Sequence, residues 1–318
     1  MRIGDASLSF LQSALREAGV RLDFGLARVK VRADYPELAS TLRLLYAHFP
    51  MEPAEGFFDV TASLERVGGL RRLARAQVRF VVDGREPFEP FPADTDLPLL
   101  EWGLNWCIAE RCHHHLLLHA GVVERNGRAI VLPALPGSGK STLTAALASR
   151  GWRFLADEFG AVRLSDSMLM PVVRPSGLKN QSIGVIRAFA PDAVIGPSYA
   201  KTRKGTVAHL APSAASVAAR HVPAFPMAVV FPKYVPGASL SLEPMPRARA
   251  FAKLAANSFN YEVLGPLAFR AMGRLIERCK CYQLTYSSLE EALPALARIH
   301  AEVVMNEHSY CGAEAGGL

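Results

Sequence analysis

Helical and strand-like spacings of hydrophobic residues alternate along the N-terminal part of this 318-residue chain. Leu8, Leu11 and Leu15 recur at helical spacing, whereas Val29 and Val31 alternate with charged residues as in a strand. The other elements predicted here are a helix over 36–49, strands over 57–64 and 76–82, a turn at Asp83-Gly84 and a helix over 99–112. Strands and helices interspersed in this way predict an α/β fold.

Two domains are predicted from the length and from one change in composition. Residues 86–98 are rich in Pro and Asp, so we place a boundary after them: a smaller α/β domain over 1–98 and a larger one over 99–305. The larger domain ends in predicted strands over 227–231 and 284–286 and predicted helices over 247–258, 267–281 and 289–304. Residues 306–318 are predicted to be a disordered tail.

The most informative stretch is AIVLPALPGSGKSTLTAALA, which begins at Ala129. A short apolar strand meets Pro and Gly residues and then a strongly helical segment from Ser141, the context of a phosphate-binding loop. Lys140 would reach the terminal phosphates of ATP, and Ser141 would bind Mg²⁺. The predicted nucleotide contacts are Pro136, Gly137, Ser138, Gly139, Lys140, Ser141 and Thr142. Ala134 stands where the motif usually has its first glycine, and an ordinary glycine-rich turn is the alternative interpretation.

A pair of acids follows the next apolar segment, in WRFLADEF. We expect this strand to lie beside the one that leads into the loop, which would place Asp157 and Glu158 at the carboxyl edge of the sheet. A carboxylate there can hold Mg²⁺, and a second can accept the proton of an attacking hydroxyl. A solvated acidic pair at the end of a strand is the alternative.

His119 precedes the loop by a predicted hairpin. Asn126-Gly127 is a tight-turn signal, and the two strands that it joins would bring His119 towards the nucleotide. A purely structural histidine is the alternative interpretation.

Charge and cysteine content exclude some functions. The net charge is +7, but the 36 basic residues are scattered among 29 acids, and the densest basic run is 71–75, so no nucleic-acid partner is predicted. The five cysteines include no CxxC pair, which argues against a disulfide framework or a zinc site. No signal-like segment occurs, and the apolar runs are shorter than the roughly 20 residues of a membrane span. We therefore predict no membrane association and a cytoplasmic location.

These residues together resemble the HPr kinase/phosphorylase lineage of P-loop kinases, most closely the HprK-related kinase A family. The segments that carry the resemblance are HAGVVERNGRAIVLPALPGSGKSTLTAAL, GWRFLADEF, RPSGLKNQSIGVI, KGTVAHLAP and NSFNYEVLG. The resemblance implies a P-loop kinase domain of the HPr kinase type with a smaller N-terminal α/β domain. It also implies that Asp157 is the general base, that Glu158 helps to bind the metal and that His119 has a counterpart in the family.

One segment departs from that lineage. HPr kinases carry a further acid downstream of the loop, whereas Arg174-Pro-Ser-Gly-Leu-Lys179-Asn180 contains none. This puts reverse phosphorylase activity in doubt. Cations here would instead contact a phosphoryl group or an anionic substrate. The predicted contacts are Arg174, Lys179, Asn180 and Lys204.

The predicted function is an ATP-dependent kinase that uses Mg²⁺ and transfers the γ-phosphoryl group to a hydroxyl. Lys140 would hold the β and γ phosphates, with Ser141, Glu158 and Asp157 as the metal ligands. By resemblance the acceptor is a serine of a peptide or protein. A small hydroxylated metabolite and a P-loop NTPase switch acting on a partner protein are the alternatives, and a homo-oligomer is compatible with the sequence.

Overall fold

The computed structural model describes residues 1–34, 36–52, 56–68, 76–133, 135 and 137–314. It is mixed α/β, so the coarse fold class predicted from the sequence is confirmed. The basic run 71–75, Ala134 and Pro136 lie outside the described residues.

A five-stranded sheet forms the N-terminal part, in the order β1-β2-β3-β4-β5. Its strands are β1 (Val20–Asp23), β2 (Arg28–Ala33), β3 (Val60–Arg66), β4 (Gln77–Val82) and β5 (Phe91–Pro92), and its helices are α1 (Leu8–Arg16), α2 (Pro36–Leu45) and α3 (Asp96–Arg111). Helix α1 begins where the Ser7 hydroxyl accepts a hydrogen bond from the Phe10 N–H, and it buries Leu11 and Leu15, as their spacing predicts.

The predicted boundary near residue 98 does not interrupt the packing. Residues 86–98 contain β5, a short 3-10 turn (Ala93–Thr95) and the start of α3. Helix α3 packs on β3 and β4, and one hydrophobic core continues from this sheet into the strands that follow α3. The two parts of the chain therefore share a core across the predicted boundary.

The larger sheet has eight strands, in the order β10-β9-β6-β7-β14-β16-β15, with β8 also paired to β6. These strands are β6 (His115–Arg125), β7 (Arg128–Pro133), β8 (Arg153–Ala156), β9 (Phe159–Arg163), β10 (Leu169–Met170), β14 (Phe225–Tyr234), β15 (Ser241–Pro244) and β16 (Lys280–Tyr286). A third sheet, β11-β13-β12, consists of β11 (Ser176–Lys179), β12 (Tyr199–Thr202) and β13 (Gly205–Leu210). The later helices are α4 (Lys140–Ser149), α5 (Gln181–Phe189), α6 (Ala214–Ala218), α7 (Arg247–Ala256), α8 (Tyr261–Leu264), α9 (Pro266–Arg278) and α10 (Leu289–Glu314).

Both faces of the larger sheet are covered, which explains why β7 is apolar at consecutive positions. Ile130 and Leu132 belong to the core on the face of α4 and α10, whereas Ala129 and Val131 belong to the core on the face of α7 and α9. Strands β7, β14 and β16 are parallel neighbours, so their carboxyl ends lie at one edge.

The position of β8 corrects one expectation. It does not lie beside β7, because the hairpin strand β6 lies between them and pairs antiparallel with both. Two antiparallel steps restore the direction of β7, so β8 still ends at the same edge of the sheet. The predicted hairpin at Asn126-Gly127 is confirmed, with φ of 51° and 78° at its two residues.

The C-terminal elements follow the predicted order with shifted ends. Strands β14 and β16 are longer than predicted, α9 ends at Arg278, and α10 continues to Glu314, into the segment for which a disordered tail is predicted. No helix in the described ranges combines the length and the apolar character needed to cross a membrane.

Gly121 allows α4 to lie close to β6. A Cβ atom at this position would lie 2.1 Å from Oγ1 of Thr144, a buried residue of α4 whose hydroxyl donates to the Lys140 carbonyl oxygen at 2.9 Å. The close approach of this strand therefore supports the first turn of α4, where Lys140 lies.

We expect Gly121→Ala to lower the free energy of unfolding by about 1–3 kcal/mol, because the added methyl group overpacks the contact with Thr144. Urea unfolding measures the change. Adding Thr144→Ala should recover part of the loss, since it removes the nearest atom. Gly273→Ala in α9, where an added Cβ meets nothing within 4 Å, is the control and should not destabilise. Equal effects of Gly121→Ala and Gly273→Ala would contradict the close approach.

Candidate functional site

Two glycines of the loop before α4 have left-handed backbone conformations. Gly137 and Gly139 have φ of 85° and 86°, and α4 begins at Lys140. At Gly139 a Cβ would lie 2.3 Å from the Tyr286 hydroxyl oxygen, so this position requires glycine for space as well as for backbone conformation. The first N–H groups of α4 have no acceptor within the helix, and its dipole places positive potential at the same end. An anion of phosphate size suits this end of the helix.

Lys140 and Asp157 form a buried ion pair. The Lys140 ammonium donates to Asp157 Oδ1 at 3.0 Å and also to the Asp157 backbone carbonyl oxygen. The Ser176 hydroxyl donates to the other carboxylate oxygen of Asp157, Oδ2, at 2.8 Å. Only 7% of Lys140 and 8% of Asp157 is exposed. Both carboxylate oxygens therefore have donors, and the cation has two acceptors, as buried charges require.

Opposing effects act on the pKa of Asp157. Burial by itself raises it, but the Lys140 charge and the hydrogen bonds from Lys140, Ser176 and Ser141 outweigh burial and hold the pKa below its ordinary value. Asp157 is accordingly a carboxylate at neutral pH. It is a weak base as long as Lys140 stays beside it.

His119 and Glu158 lie next to this pair. His119 Nε2 is 3.6 Å from Glu158 Oε1, and 39% of the Glu158 side chain is exposed. Burial lowers the pKa of His119, against the opposing effect of Glu158, so the imidazole is neutral at pH 7. The His119 backbone is held in place by Asn257, which accepts from the His119 N–H at 2.9 Å and donates its side-chain amide to the His119 carbonyl oxygen at 3.0 Å.

Lys179 lines the same cleft as Asp157 and Glu158. Burial and the neighbouring Lys204 charge lower the pKa of Lys179, whereas Glu158 and Asp157 act in the opposite direction. Lys179 and Lys204 line one cleft together with Ser141, Asp157 and Glu158. The structure therefore brings these two predicted cations to the predicted site.

Arg174 and Asn180 have partners inside the protein. The Arg174 guanidinium donates to Glu101 Oε2 at 2.6 Å and to Asn105 Oδ1 at 2.9 Å, with 7% of the residue exposed. Asn180 Oδ1 accepts from the Thr206 N–H at 3.0 Å, which ties the end of β11 to β13. These hydrogen bonds give both residues a structural role within the protein. Their predicted contact with phosphate stays a prediction.

The other predicted nucleotide contacts surround the start of α4. Ser141 lines the cleft, and Thr142 is half-buried in the first turn of the helix. The Ser138 hydroxyl is buried and has no hydrogen-bond partner in the part of the chain that the structure describes, although the Ser138 carbonyl oxygen accepts from the Tyr234 N–H at 2.9 Å. Pro136 lies outside the described residues.

Mg²⁺ can be accommodated by part of the predicted ligand set. In the described part of the chain no three His, Cys, Asp or Glu side chains form a metal-binding cluster. Mg²⁺ bound with a nucleotide needs only one or two carboxylates, because phosphate oxygens and water complete its coordination. The half-exposed Glu158 and the Ser141 hydroxyl are suitable ligands, whereas Asp157 is already engaged by Lys140.

Several residues that complete the site were not predicted from the sequence. Ser176 orients Asp157, and Tyr286 covers Gly139 and donates its hydroxyl to the Gly139 carbonyl oxygen at 3.1 Å. Asn260 holds β6 at two points, accepting from the Leu117 N–H at 2.9 Å and donating to the His115 carbonyl oxygen at 2.8 Å. In the sequence, the segment NSFNYEVLG was notable only as part of the family resemblance. Its two asparagines, Asn257 and Asn260, were the signal from which these contacts with β6 could have been predicted.

No protein-family model matches the chain, and no curated protein sequence matches it.

We expect Lys140→Met to lower the free energy of unfolding by about 3–5 kcal/mol without nucleotide, because it leaves the Asp157 carboxylate buried and unpaired. Urea unfolding gives the value. The double variant Lys140→Met/Asp157→Asn removes both charges and should recover much of the loss.

Lys280→Met is the matched control for the change in charge. Lys280 is exposed at the opposite end of β16, and its replacement should change stability by less than about 0.5 kcal/mol. A Lys140→Met variant as stable as this control would show that the ion pair is not buried.

Proposed function

We propose that this protein is an ATP-dependent phosphotransferase with a P-loop kinase domain of the HPr kinase type, related to the HprK-related kinase A family. The observation that carries the proposal is the contact between Lys140, at the start of α4, and Asp157, at the same edge of the sheet. A cation at the start of a helix that follows a glycine-containing loop and a carboxylate within its reach are two groups that phosphoryl transfer to a hydroxyl uses.

The nucleotide phosphates bind at the loop. Backbone N–H groups at the start of α4 donate to the phosphate oxygens, and Lys140 leaves Asp157 to contact the β and γ phosphates. Glu158 and Ser141 would hold Mg²⁺, whereas the metal contact predicted for Asp157 is not part of this proposal, because Asp157 acts here as the base. When bound, Mg²⁺ would neutralise negative charge on the phosphate oxygens.

Nucleotide binding makes Asp157 a better base. Lys140 is the main group that offsets the effect of burial on the Asp157 pKa, so its departure lets burial raise that pKa towards the working pH. The acceptor hydroxyl oxygen then attacks the γ phosphorus, the bond from this phosphorus to the bridging oxygen of ADP breaks, and the hydroxyl proton passes to Asp157. Lys179 neutralises charge on the transferring group.

His119 supports this chemistry through its contact with Glu158. Its neutral imidazole contacts a carboxylate that faces the cleft, and two bonds to Asn257 fix its backbone. If Asp157 is not the base, His119 is the first alternative. The serine acceptor implied by the resemblance stays a prediction, as does the NTPase alternative.

We expect a Lys140→Met variant to lose binding of ATP, because a fixed positive charge is removed from the β and γ phosphates. Isothermal titration with Mg·AMP-PNP measures binding, and transfer from γ-labelled ATP is measured with a cell lysate separated into proteins, peptides and small molecules. Lys280→Met should bind and transfer as the unchanged protein does. Unaltered nucleotide binding by a folded Lys140→Met variant would sink the proposal, and hydrolysis of ATP with no labelled acceptor in any fraction would favour the NTPase alternative.

We expect the carboxyl pKa of Asp157 to rise when Mg·AMP-PNP binds. The carboxyl carbon resonances of ¹³C-labelled aspartate measure it by NMR over a pH series, with Asp157→Asn used for assignment. A base acts only when it is deprotonated. The rate of phosphoryl transfer should therefore fall as the pH drops below the raised pKa of Asp157 in the nucleotide complex. This pKa should be higher than that of Asp157 in the free protein.

Asp166 is the internal control for this titration. Its hydrogen bond from Arg163 holds its pKa at about 2, and its pKa should be the same with and without nucleotide. An Asp157 pKa that also stays unchanged would mean that Lys140 does not leave Asp157 when nucleotide binds.

A further inference from the structure

The cleft extends beyond the phosphate loop to an aromatic wall built by the N-terminal part of the chain. Trp102 of α3 stacks on Phe88 with ring centroids 4.6 Å apart, and it meets Phe91 of β5 edge-on at 5.4 Å. Trp102 and Phe91 both line the cleft that contains Asp157 and Glu158. Two aromatic contacts fix the Trp102 ring, so the wall is preformed.

A cation lies over this wall. The Arg203 guanidinium carbon is 5.7 Å from the Phe91 ring centroid and 5.9 Å from that of Trp102, within the range of a cation–π contact. Arg203 itself is exposed, and no carboxylate of the described residues lies within ion-pair distance of it. Its charge is therefore available to a molecule in the cleft.

The cations of the cleft fall into two groups. Lys179 interacts electrostatically with Lys204 and also with Glu158, Asp157 and Lys140, the groups proposed for phosphoryl transfer. Arg203 instead contacts the aromatic wall, through Phe91 and Trp102. A molecule on the wall can thus meet a positive charge that phosphoryl transfer does not require.

Two further polar groups lie unpaired at the floor of the cleft. Arg174 Nε and His209 Nδ1 are buried with no hydrogen-bond partner among the described residues, and both side chains line the cleft. Burial of an unpaired polar group is unfavourable, so a ligand that supplies hydrogen-bond acceptors would stabilise this floor.

The size of the cleft limits what can bind. Its volume is ≈ 240 Å³, below the range of about 300–1,000 Å³ that is usual for pockets of drug-sized ligands. This volume can hold a single small molecule between the wall and the carboxylates.

We propose that the phosphoryl acceptor is a small hydroxy compound with an aromatic or flat apolar body and an anionic group. This inference rests on the proposed phosphotransferase function and narrows its acceptor. The body packs on Trp102 and Phe91, the anionic group binds Arg203, and the hydroxyl points to Asp157. The acceptor hydroxyl then transfers its proton to Asp157 as its oxygen bonds to the γ phosphorus and ADP leaves.

Three related probes separate these contributions. 3-Phenyllactate has the ring, the carboxylate and the hydroxyl, 2-phenylethanol lacks the carboxylate, and lactate lacks the ring. Their binding to the full chain is measured by isothermal titration, with and without saturating Mg·AMP-PNP. We expect 3-phenyllactate to bind at least about tenfold more tightly than either other probe, the effect of one charge-assisted contact or one buried ring.

Arg203→Met identifies the residue that recognises the anion. It should reduce the affinity for 3-phenyllactate to about that for 2-phenylethanol, and the affinity for Mg·AMP-PNP should be unchanged. Arg249→Met, which removes an equally exposed arginine from α7, is the matched control and should leave all three affinities unchanged.

Other outcomes overturn the proposal in recognisable ways. Equal or undetectable binding of the three probes, with normal Mg·AMP-PNP binding, would reject the acceptor class and leave the phosphotransferase function intact. A loss of Mg·AMP-PNP affinity in Arg203→Met, with 3-phenyllactate unaffected, would assign the aromatic wall to the nucleotide base. Labelling of the peptide fraction by γ-labelled ATP at the same rate in Arg203→Met would assign the acceptor to peptides.

Discussion

The burial of Lys140 against Asp157 is the constraint on which the rest of this site depends. Two opposite charges excluded from water must each have a partner, and the protein supplies these partners from three separate elements: the start of α4, the end of β8 and the start of β11. The third sheet is thereby joined to the larger sheet at the point where the chemistry is proposed. The contact on which the proposed phosphoryl transfer depends therefore also stabilises the fold.

Local features of the site could be predicted from the sequence. The strand before the loop, the two glycines and the start of α4 depend on residues close together in the chain, and the structure places α4 within one residue of its predicted start. The Asn126-Gly127 hairpin is equally local, because only the two turn residues need a special backbone conformation. His119 reaches the site through this hairpin.

The order of strands could not be predicted in the same way. It depends on which apolar faces pack together, and the prediction placed β8 beside β7 when β6 lies between them. Ser176 and Tyr286 were missed for the same reason, since their partners Asp157 and Gly139 are remote in sequence. The burial of Arg174 beside Glu101 was missed in the same way, because Glu101 is remote in sequence, and the predicted contact of Arg174 with phosphate stays a prediction.

The buried contacts of Glu101 connect the N-terminal part of the chain to the floor of the cleft. The Tyr46 hydroxyl of the N-terminal part donates to the carboxylate that also accepts from Arg174, and all three residues are buried. Separating the chain at residue 98 would take away Tyr46 and the sheet on which α3 packs. The C-terminal part of the chain therefore depends on the N-terminal part for these contacts, and the two parts should unfold as one cooperative unit. Any replacement of the N-terminal part would have to preserve this hydrogen-bonded junction.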